Sequence, residues 1–183
     1  MPTTALLVID IQRGAFDGVR WQPIDSAEQF VRRANQLVDA ARAGAHPVVF
    51  IQHCEDTPGE LFETHTEQWL LHPSLAPAPG EAVVRKYASS AFDNTDLHAQ
   101  LQAMGVDELV LCGLQSEFCV SNTTRGALAL GYSVRLAQDA HSTWAQQDRS
   151  AEQIKADVNA QLARDGALLE PTDHLVGTLR GIS

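Results

Sequence analysis

Basic residues are scarce in this chain of 183 residues, which has 13 lysines and arginines against 23 aspartates and glutamates and a net charge of −10. Nucleic acids and anionic membrane surfaces attract basic patches, and no segment of this sequence supplies one. The longest apolar runs have the length of a strand and fall well short of the ~20 residues of a membrane-spanning helix. We therefore expect neither a nucleic-acid partner nor a membrane partner.

Cysteine is also rare, and the spacing of Cys54, Cys112 and Cys119 indicates no disulfide pair. This usage fits a reducing compartment, and the N-terminus shows no basic segment followed by an apolar stretch of the kind that directs secretion. A cytoplasmic location is therefore expected. The hydrophobic content of 44% predicts one domain, covering residues 1–183, with a substantial core.

Strand and helix patterns alternate along the chain, which predicts an α/β fold. A parallel sheet covered by helices on both faces, a three-layer α/β/α arrangement, follows from such repeated units. The predicted strands cover residues 5–10, 47–51, 82–85, 108–111, 133–137 and 167–170. The predicted helices cover residues 26–43, with Ser26 as cap, then 94–104, 116–131, 150–164 and the chain after 172.

Residues 52–80 break this rhythm, because four of them are prolines and a regular helix cannot run throughout. A short helix over residues 60–71, carrying Trp69, is compatible with the pattern. Long connections after a strand often line a site, so this segment is expected to shape a pocket. It is also expected to pack against a partner subunit, with Trp69 as apolar surface.

Cys119 is placed where a thiol can act as a nucleophile. The apolar run over residues 108–111 ends at Gly113, Ser116 is a candidate helix N-cap, and Cys119 then falls in the first turn of a helix. The positive end of the helix dipole and exposed N–H groups favour the thiolate. A free cysteine is as often a small buried hydrophobe, and position alone leaves both interpretations open.

Two charged residues end other apolar runs, Asp10 after residues 6–9 and Lys86 after residues 82–85. In an open parallel sheet, ligands bind beyond the carboxyl ends of the strands. Asp10 could instead cap a helix, and Lys86 could be a solvated strand end. The coincidence of an acid, a cation and a thiol at matching positions favours a catalytic site.

The residues that carry these features resemble the isochorismatase-like cysteine hydrolases, the family that includes nicotinamidases and N-carbamoylsarcosine amidohydrolase. The matching segments are residues 7–12 (LVIDIQ), 85–86 (RK) with 90–92 (SAF), 113–120 (GLQSEFCV) and 139–140 (DA). The resemblance covers nearly the whole chain. It implies strand order 3-2-1-4-5-6 and a homodimer or homotetramer.

The resemblance assigns Asp10, Lys86 and Cys119 to a catalytic triad. It also implies a cis peptide between Leu114 and Gln115, with the N–H groups of Gln115 and Cys119 forming an oxyanion hole. Residues predicted to contact substrate are Gln12, His53, Phe92 and Leu114. For His53, a hydrogen bond to a backbone carbonyl is the alternative, and substrate contact by Arg125, His141 or Trp144 is left open.

No metal or cofactor is predicted. The nicotinamidase branch carries an Asp-x-His metal motif after the second strand, and residues 52–55 read QHCE at that place. His65 and His72 could share a helix face, but solvated histidines fit them better. The departure also argues against nicotinamide as substrate.

These features predict a cysteine hydrolase that cleaves an amide or carbamoyl C–N bond of a small molecule through a thioester. A thiol redox sensor, with Cys119 reactive and Cys54 resolving, is one alternative. A non-catalytic binding module on the same scaffold is the other.

Overall fold

The computed structural model describes residues 3–182 and contains one six-stranded sheet. Every pairing is parallel and the strand order is β3-β2-β1-β4-β5-β6, which confirms the predicted fold class and order. The strands are β1 (Thr4–Ile9), β2 (Val48–His53), β3 (Ala82–Lys86), β4 (Glu108–Leu114), β5 (Ser133–Ser142) and β6 (Leu168–Glu170). The helices are α1 (Ala27–Ala43), α2 (Leu97–Ala103), α3 (Ser121–Ala129), α4 (Ala151–Asp165) and α5 (Thr172–Leu179).

The core has two halves, one on each face of the sheet. Alternate residues of β1 divide between them, since Leu6 and Val8 join one cluster and Leu7 and Ile9 the other. Helices α1 and α5 cover the first face, and α2, α3 and α4 cover the second. Burial on both faces explains why β1 is apolar from Ala5 to Ile9, and why the next polar residue, Asp10, comes directly after the strand.

Several boundaries differ from the sequence-based prediction. Residues 60–71 form successive turns without a helix, and helix α2 begins only at Leu97. Ser26 precedes α1 with a left-handed backbone, φ 52°, and its side chain makes no capping bond. Strand β5 continues to Ser142, five residues beyond the predicted end. Polar Gln138 and Asp139 interrupt its apolar pattern there, which is why the sequence under-predicted it.

Trp69 is only 8% exposed, so the expectation that it offers apolar surface to a partner subunit is wrong. Its indole Nε1 donates to Cys54 Sγ at 3.3 Å, and the Arg85 guanidinium lies 4.8 Å from its ring centroid. The prolines hold this segment in turns, and Trp69 anchors it to the sheet. Within residues 3–182, no helix has the length and apolarity needed to cross a membrane.

Candidate active site

Asp10 directly follows β1, in a left-handed backbone conformation with φ 52°. Its N–H donates to Ile51 O at 3.0 Å, which fixes the turn against the neighbouring strand β2. On the other side, β4 approaches so closely that a Cβ at Gly113 would lie 2.2 Å from Ile9 O. Only glycine fits there. Because Gly113 has no side chain, β4 can approach β1 closely, and the turn after β4 lies next to Asp10.

Lys86 ends β3, which is not adjacent to β1, and its side chain spans the end of β2 to reach Asp10. Its Nζ lies 2.8 Å from Asp10 Oδ2, and the two side chains are 0% and 1% exposed. Nζ also donates to Ala88 O at 3.1 Å and to Cys119 Sγ at 3.2 Å. Burial lowers the pKa of Lys86, but the charges of Asp10 and Cys119 and the hydrogen bonds to both together outweigh this and hold the pKa above its ordinary value. The ammonium therefore stays charged.

Cys119 lies in a five-residue π-helical turn, Ser116–Val120, that precedes α3. The defining bond runs from Val120 N–H to Gln115 O at 3.1 Å, and the peptide bond between Leu114 and Gln115 is cis. Such wide turns often occur at functional sites. Cys119 is therefore near a helix start, as predicted, although the local geometry is not a regular α-helical first turn.

The helix start does not by itself lower the pKa of Cys119. Burial, followed by the nearby Asp10 charge, raises the pKa of the Cys119 thiol to about 12, although Lys86 acts in the opposite direction. A thiolate on Cys119 would be a second negative charge, in a buried place that faces a carboxylate. The cost of that charge exceeds the stabilisation that the Lys86 ammonium and the helix dipole provide. The resting group is a neutral thiol that must lose its proton to a base. Asp10 offers a carboxylate oxygen within 4.8 Å of the sulfur, and its Oδ1 has no hydrogen-bond partner among residues 3–182, so this carboxylate is the candidate base.

His53 ends β2 and lies beside the lysine. Its Nδ1 is 3.0 Å from Lys86 Nζ, and because an ammonium only donates, Nδ1 must accept and the ring proton is on Nε2. Burial and the Lys86 charge lower the pKa of His53. The imidazole is thus neutral, with Nε2 3.9 Å from Glu55 Oε1.

Asp10, His53 and Cys119 offer ligand atoms within 4.8 Å of one another, the kind of grouping that can hold a metal ion. Lys86 Nζ contacts all three residues. A buried ammonium therefore already supplies the positive charge that this trio would otherwise take from a cation.

Ser116 is not a cap, because its side chain turns into the protein. His141 Nε2 faces Asn159 Oδ1 at 2.9 Å, while Asn159 Nδ2 donates to Gln138 O at 2.9 Å. The Asn159 oxygen must then accept, so His141 carries its proton on Nε2 and Ser116 Oγ donates to Nδ1 at 2.8 Å. This chain joins the cysteine turn to α4 and explains why His141, 1% exposed, is buried. Burial lowers the pKa of His141 to about 4.

A small cavity of about 120 Å³ opens onto this group. Sequence reasoning missed Trp21 and Glu60 there. The segment after β2 was expected to shape a pocket, and it contributes much of the wall. The lining residues are Asp10, Trp21, His53, Glu55, Glu60, Leu61, Phe62, Leu114, Gln115 and Cys119.

Two of the predicted substrate contacts do not line this cavity. Gln12 is fully buried and binds backbone, donating to Trp69 O at 2.7 Å and accepting from His53 N–H at 2.8 Å. Phe92 packs beside α3, with its ring 6.0 Å from that of Tyr132. The predicted contacts His53 and Leu114 do line the cavity.

The other residues considered have structural surroundings. Arg125 pairs with Asp165 at 2.8 Å near the surface, and Trp144 donates from Nε1 to Gln22 O at 2.6 Å. Cys54 joins the cluster on one face of the sheet, whereas Cys119 packs against the cluster on the other. The two thiols of the redox alternative thus pack in different core clusters.

The fold and this buried acid–lysine–cysteine group agree with a family-level match. The isochorismatase domain model matches residues 4–163. The chain is a member of the isochorismatase domain family. It is 40% identical to a streptothricin hydrolase of Streptomyces noursei over 143 residues, which cover 78% of this chain and 56% of that protein. A second streptothricin hydrolase of that organism is covered over 50% of its length, so the chain spans about half the length of these relatives.

Solved structures of isochorismatase-family proteins superpose closely on this chain. An isochorismatase from Pseudomonas putida KT2440 is 32% identical with a TM-score of 0.86, covering 94% of this chain and 89% of that one. N-carbamoylsarcosine amidase from Thermoplasma acidophilum is 25% identical with a TM-score of 0.81, covering 94% and 98%. The likeness therefore extends over nearly the whole described fold.

Proposed function

We propose that this isochorismatase-family protein hydrolyses an amide or carbamoyl C–N bond of a small molecule through a thioester on Cys119. The observation that carries the proposal is the buried contact of Lys86 Nζ with both Asp10 Oδ2, at 2.8 Å, and Cys119 Sγ, at 3.2 Å, at the floor of a cavity. A base, a cation and a thiol in mutual contact are the components of an activated nucleophile.

In the first half-reaction, Asp10 takes the thiol proton of Cys119 as sulfur attacks the carbonyl carbon. Lys86 stays protonated and stabilises the thiolate that develops. The carbonyl oxygen becomes an oxyanion, held in our proposal by the N–H groups of Gln115 and Cys119. One such donor contributes ~3–4 kcal/mol in other hydrolases. Protonated Asp10 then gives its proton to the leaving nitrogen, the C–N bond breaks, and a thioester and an amine remain.

In the second half-reaction, Asp10 removes a proton from water, which attacks the thioester carbon. The C–S bond breaks, the acid product leaves, and the proton on Asp10 returns to the Cys119 sulfur. Each proton that Asp10 takes is given back within the same half-reaction. No oxidant, reductant or organic cofactor is required for this cycle, and the proposal includes none.

The names of two relatives support the amide-type assignment at the level of bond class. The Thermoplasma acidophilum protein is named an amidase and the Streptomyces noursei protein a hydrolase, each for its own substrate. The redox alternative is less favoured, because Cys54 and Cys119 pack in different core clusters. The binding-module alternative leaves the costly burial of the ion pair between Asp10 and Lys86 without a purpose.

The test is ammonia release from a panel of primary amides, carbamoyl compounds and ureido acids, with mass spectrometry of the Cys119 peptide during turnover. We expect an acyl adduct on that peptide and complete loss of turnover in Cys119→Ala. Cys112→Ala is the matched control, because it removes a buried thiol from β4 and should leave turnover unchanged. Full activity of Cys119→Ala on an amide that the wild type hydrolyses would refute the proposal.

A further inference from the structure

The cavity over Cys119 has an acidic lining. Asp10, Glu55 and Glu60 all contribute to it, and no lysine or arginine is among the described residues that line it. Lys86, which lies beneath, is paired with Asp10 at 2.8 Å. The charges of the other two carboxylates therefore face the cavity without a matching cation from its wall.

Glu55 is fixed at the inner end of the cavity. Its Oε2 accepts from Phe62 N–H at 2.6 Å, which leaves Oε1 beside the neutral His53. Burial and the nearby Glu60 charge raise the pKa of Glu55. Two carboxylates that face one small space repel each other, and a cation placed between them relieves that repulsion.

Glu60 lies at the outer end, where it is exposed. Within residues 3–182, its carboxylate forms no hydrogen bond or ion pair. Arg20 donates to the backbone oxygen of Glu60 and pairs with Glu63 Oε2 at 2.6 Å. The guanidinium is thus already neutralised by another residue, and Glu60 keeps an unmatched charge.

Trp21 adds an aromatic wall next to these acids. Trp21 is 50% exposed, and its ring lies at 69° to that of Trp144 with the centroids 5.4 Å apart, so Trp144 does not stack flat on it. Trp144 is itself held by its bond to Gln22 O. An indole face beside carboxylates is a favourable environment for an ammonium or guanidinium group.

An independent feature marks this space as a ligand site. Asp10 is 1% exposed, lines the same cavity, and has an Oδ1 without a hydrogen-bond partner among residues 3–182. A buried unpaired carboxylate oxygen next to a thiol needs a polar group of a ligand or a proton. The acidic wall and the reactive floor therefore belong to one binding site.

We infer that the substrate is a cationic amide, with a protonated amine or guanidine held between Glu55, Glu60 and the face of Trp21. Substrates with a carboxylate at that position are repelled. This inference rests on the proposed function, because it places the carbonyl group of the same molecule at Cys119. Charge selectivity at Cys119 can nevertheless be measured without any turnover.

The first experiment compares three primary amides with the same four-methylene spacer: 5-aminopentanamide, hexanamide and adipamic acid, which are cationic, neutral and anionic. We expect kcat/KM for the cation to exceed that for the neutral amide by roughly tenfold, as for one partly desolvated ion pair with a cation–π contact. Glu60→Gln should remove most of that preference. Glu67→Gln, a change of the same kind in the same segment, is the control, since Glu67 pairs with Arg13 outside the cavity.

The second experiment measures how fast Cys119 reacts with methanethiosulfonates that carry an aminoethyl, methyl or sulfonatoethyl group. The Cys119 sulfur attacks the reagent sulfur, a disulfide forms, and methanesulfinate leaves. Rates are read from the Cys119 peptide and divided by those of N-acetylcysteine amide. We expect the normalised rate to be highest for the cationic reagent, intermediate for the neutral one and lowest for the anionic one. The differences between these rates should become smaller at high salt and in Glu60→Gln.

Equal normalised rates for the three reagents, or a faster anionic reagent, would overturn the inference, whatever the amidase result. Equal or better kcat/KM for hexanamide than for 5-aminopentanamide would also overturn it. Selective labelling by the cationic reagent together with no acyl adduct from any amide would refute the proposed hydrolase function and leave the charge selectivity standing.

Discussion

Lys86 Nζ lies 2.8 Å from Asp10 Oδ2, in an ion pair whose two side chains are 0% and 1% exposed. Strand β2 lies between the strands that carry them, so the lysine crosses the end of β2 to make the contact. Withdrawing two charges from water has a large cost that their attraction often only balances. The proposed catalytic site explains this burial, because it requires a charged base and a cation beside a thiol.

Substitutions of Asp10 and Lys86 should have non-additive effects on the free energy of unfolding. The double variant should recover stability without recovering activity. Lys86→Met leaves the Asp10 carboxylate buried without its cation, which should lower the free energy of unfolding by ~3–5 kcal/mol. Asp10→Asn keeps a residue type that tolerates the left-handed backbone at φ 52°. The double variant should lose less stability than the sum of the two single variants, because no unpaired charge remains. In all three proteins amidase activity should fall by ~10² or more.

Urea unfolding of the four proteins at neutral pH measures this coupling, with turnover assayed in parallel. The double variant serves as an internal control, because it lacks both charges and its free energy of unfolding therefore reflects the packing of the site alone. Strictly additive losses would contradict a coupled pair. Activity retained in the stable double variant would show that the pair serves the fold alone.

His141 should make the protein sensitive to acid. Burial lowers the pKa of His141 to about 4, so the folded state disfavours the charged imidazole. A group with a depressed pKa contributes stability above its unfolded pKa, near 6.5, and loses this contribution as the pH falls toward 4. Replacement by asparagine keeps an acceptor for Ser116 and removes the titrating group. We expect His141→Asn to lose less stability than the wild type between pH 7 and pH 4.5.

The measurement is urea unfolding at both pH values. His65→Asn serves as control, because His65 is exposed, lies outside the Ser116 chain, and has a left-handed backbone (φ 65°) that asparagine tolerates. The control should follow the wild-type pH dependence. A wild type and a His141→Asn variant that lose equal stability on acidification would show that His141 does not titrate in this range.

The sequence predicted Asp10, Lys86 and Cys119 as a candidate trio because each residue ends or follows an apolar, strand-like run. The resemblance supplied the strand order, which the structure confirms. The lysine's path across β2 could not be predicted from the residues alone, because it depends on the register that sets Lys86 opposite His53. Register follows from packing of the whole sheet.

The cavity wall was less predictable than its floor. Trp21 reaches the cavity from a loop after β1 with no periodic pattern, and Glu60 from turns where a helix was expected. Glu55 had a usable signal, since it lies two residues beyond the end of β2 at the ligand edge of the sheet. Gln12 and Phe92 belong to matching segments, but a motif does not show which way a side chain points.

Assembly into a homodimer or homotetramer stays a prediction. Phe118 is 50% exposed on the turn that carries Cys119, and an exposed aromatic is a frequent centre of an interface. We expect sedimentation at twice or four times the monomer mass of 19.9 kDa, and a shift toward monomer in Phe118→Ser. Glu67→Gln is the control. A wild type that sediments only as monomer at micromolar concentration would contradict the prediction.

The last prediction separates the resting charge of Cys119 from its activation. Iodoacetamide reacts with the thiolate, whose sulfur displaces iodide, so the alkylation rate follows the ionised fraction. Because the pKa of Cys119 is raised to about 12, the wild-type rate should still climb at pH 10 without a plateau. Asp10 contributes to that rise and Lys86 opposes it. Asp10→Asn should therefore alkylate faster at pH 8, by about tenfold for each unit by which the pKa falls, and Lys86→Met more slowly.

Turnover should respond differently, because it needs a base as well as a thiolate. We expect amidase activity to fall by ~10²–10⁴ in Asp10→Asn even though its thiol is the more reactive toward iodoacetamide. Rates are measured by mass spectrometry of the Cys119 peptide, with Cys112→Ala as a control that should match the wild type. If Asp10→Asn and Lys86→Met instead slow alkylation alike, Asp10 must hold the thiolate at rest, and the neutral thiol inferred from its burial is wrong.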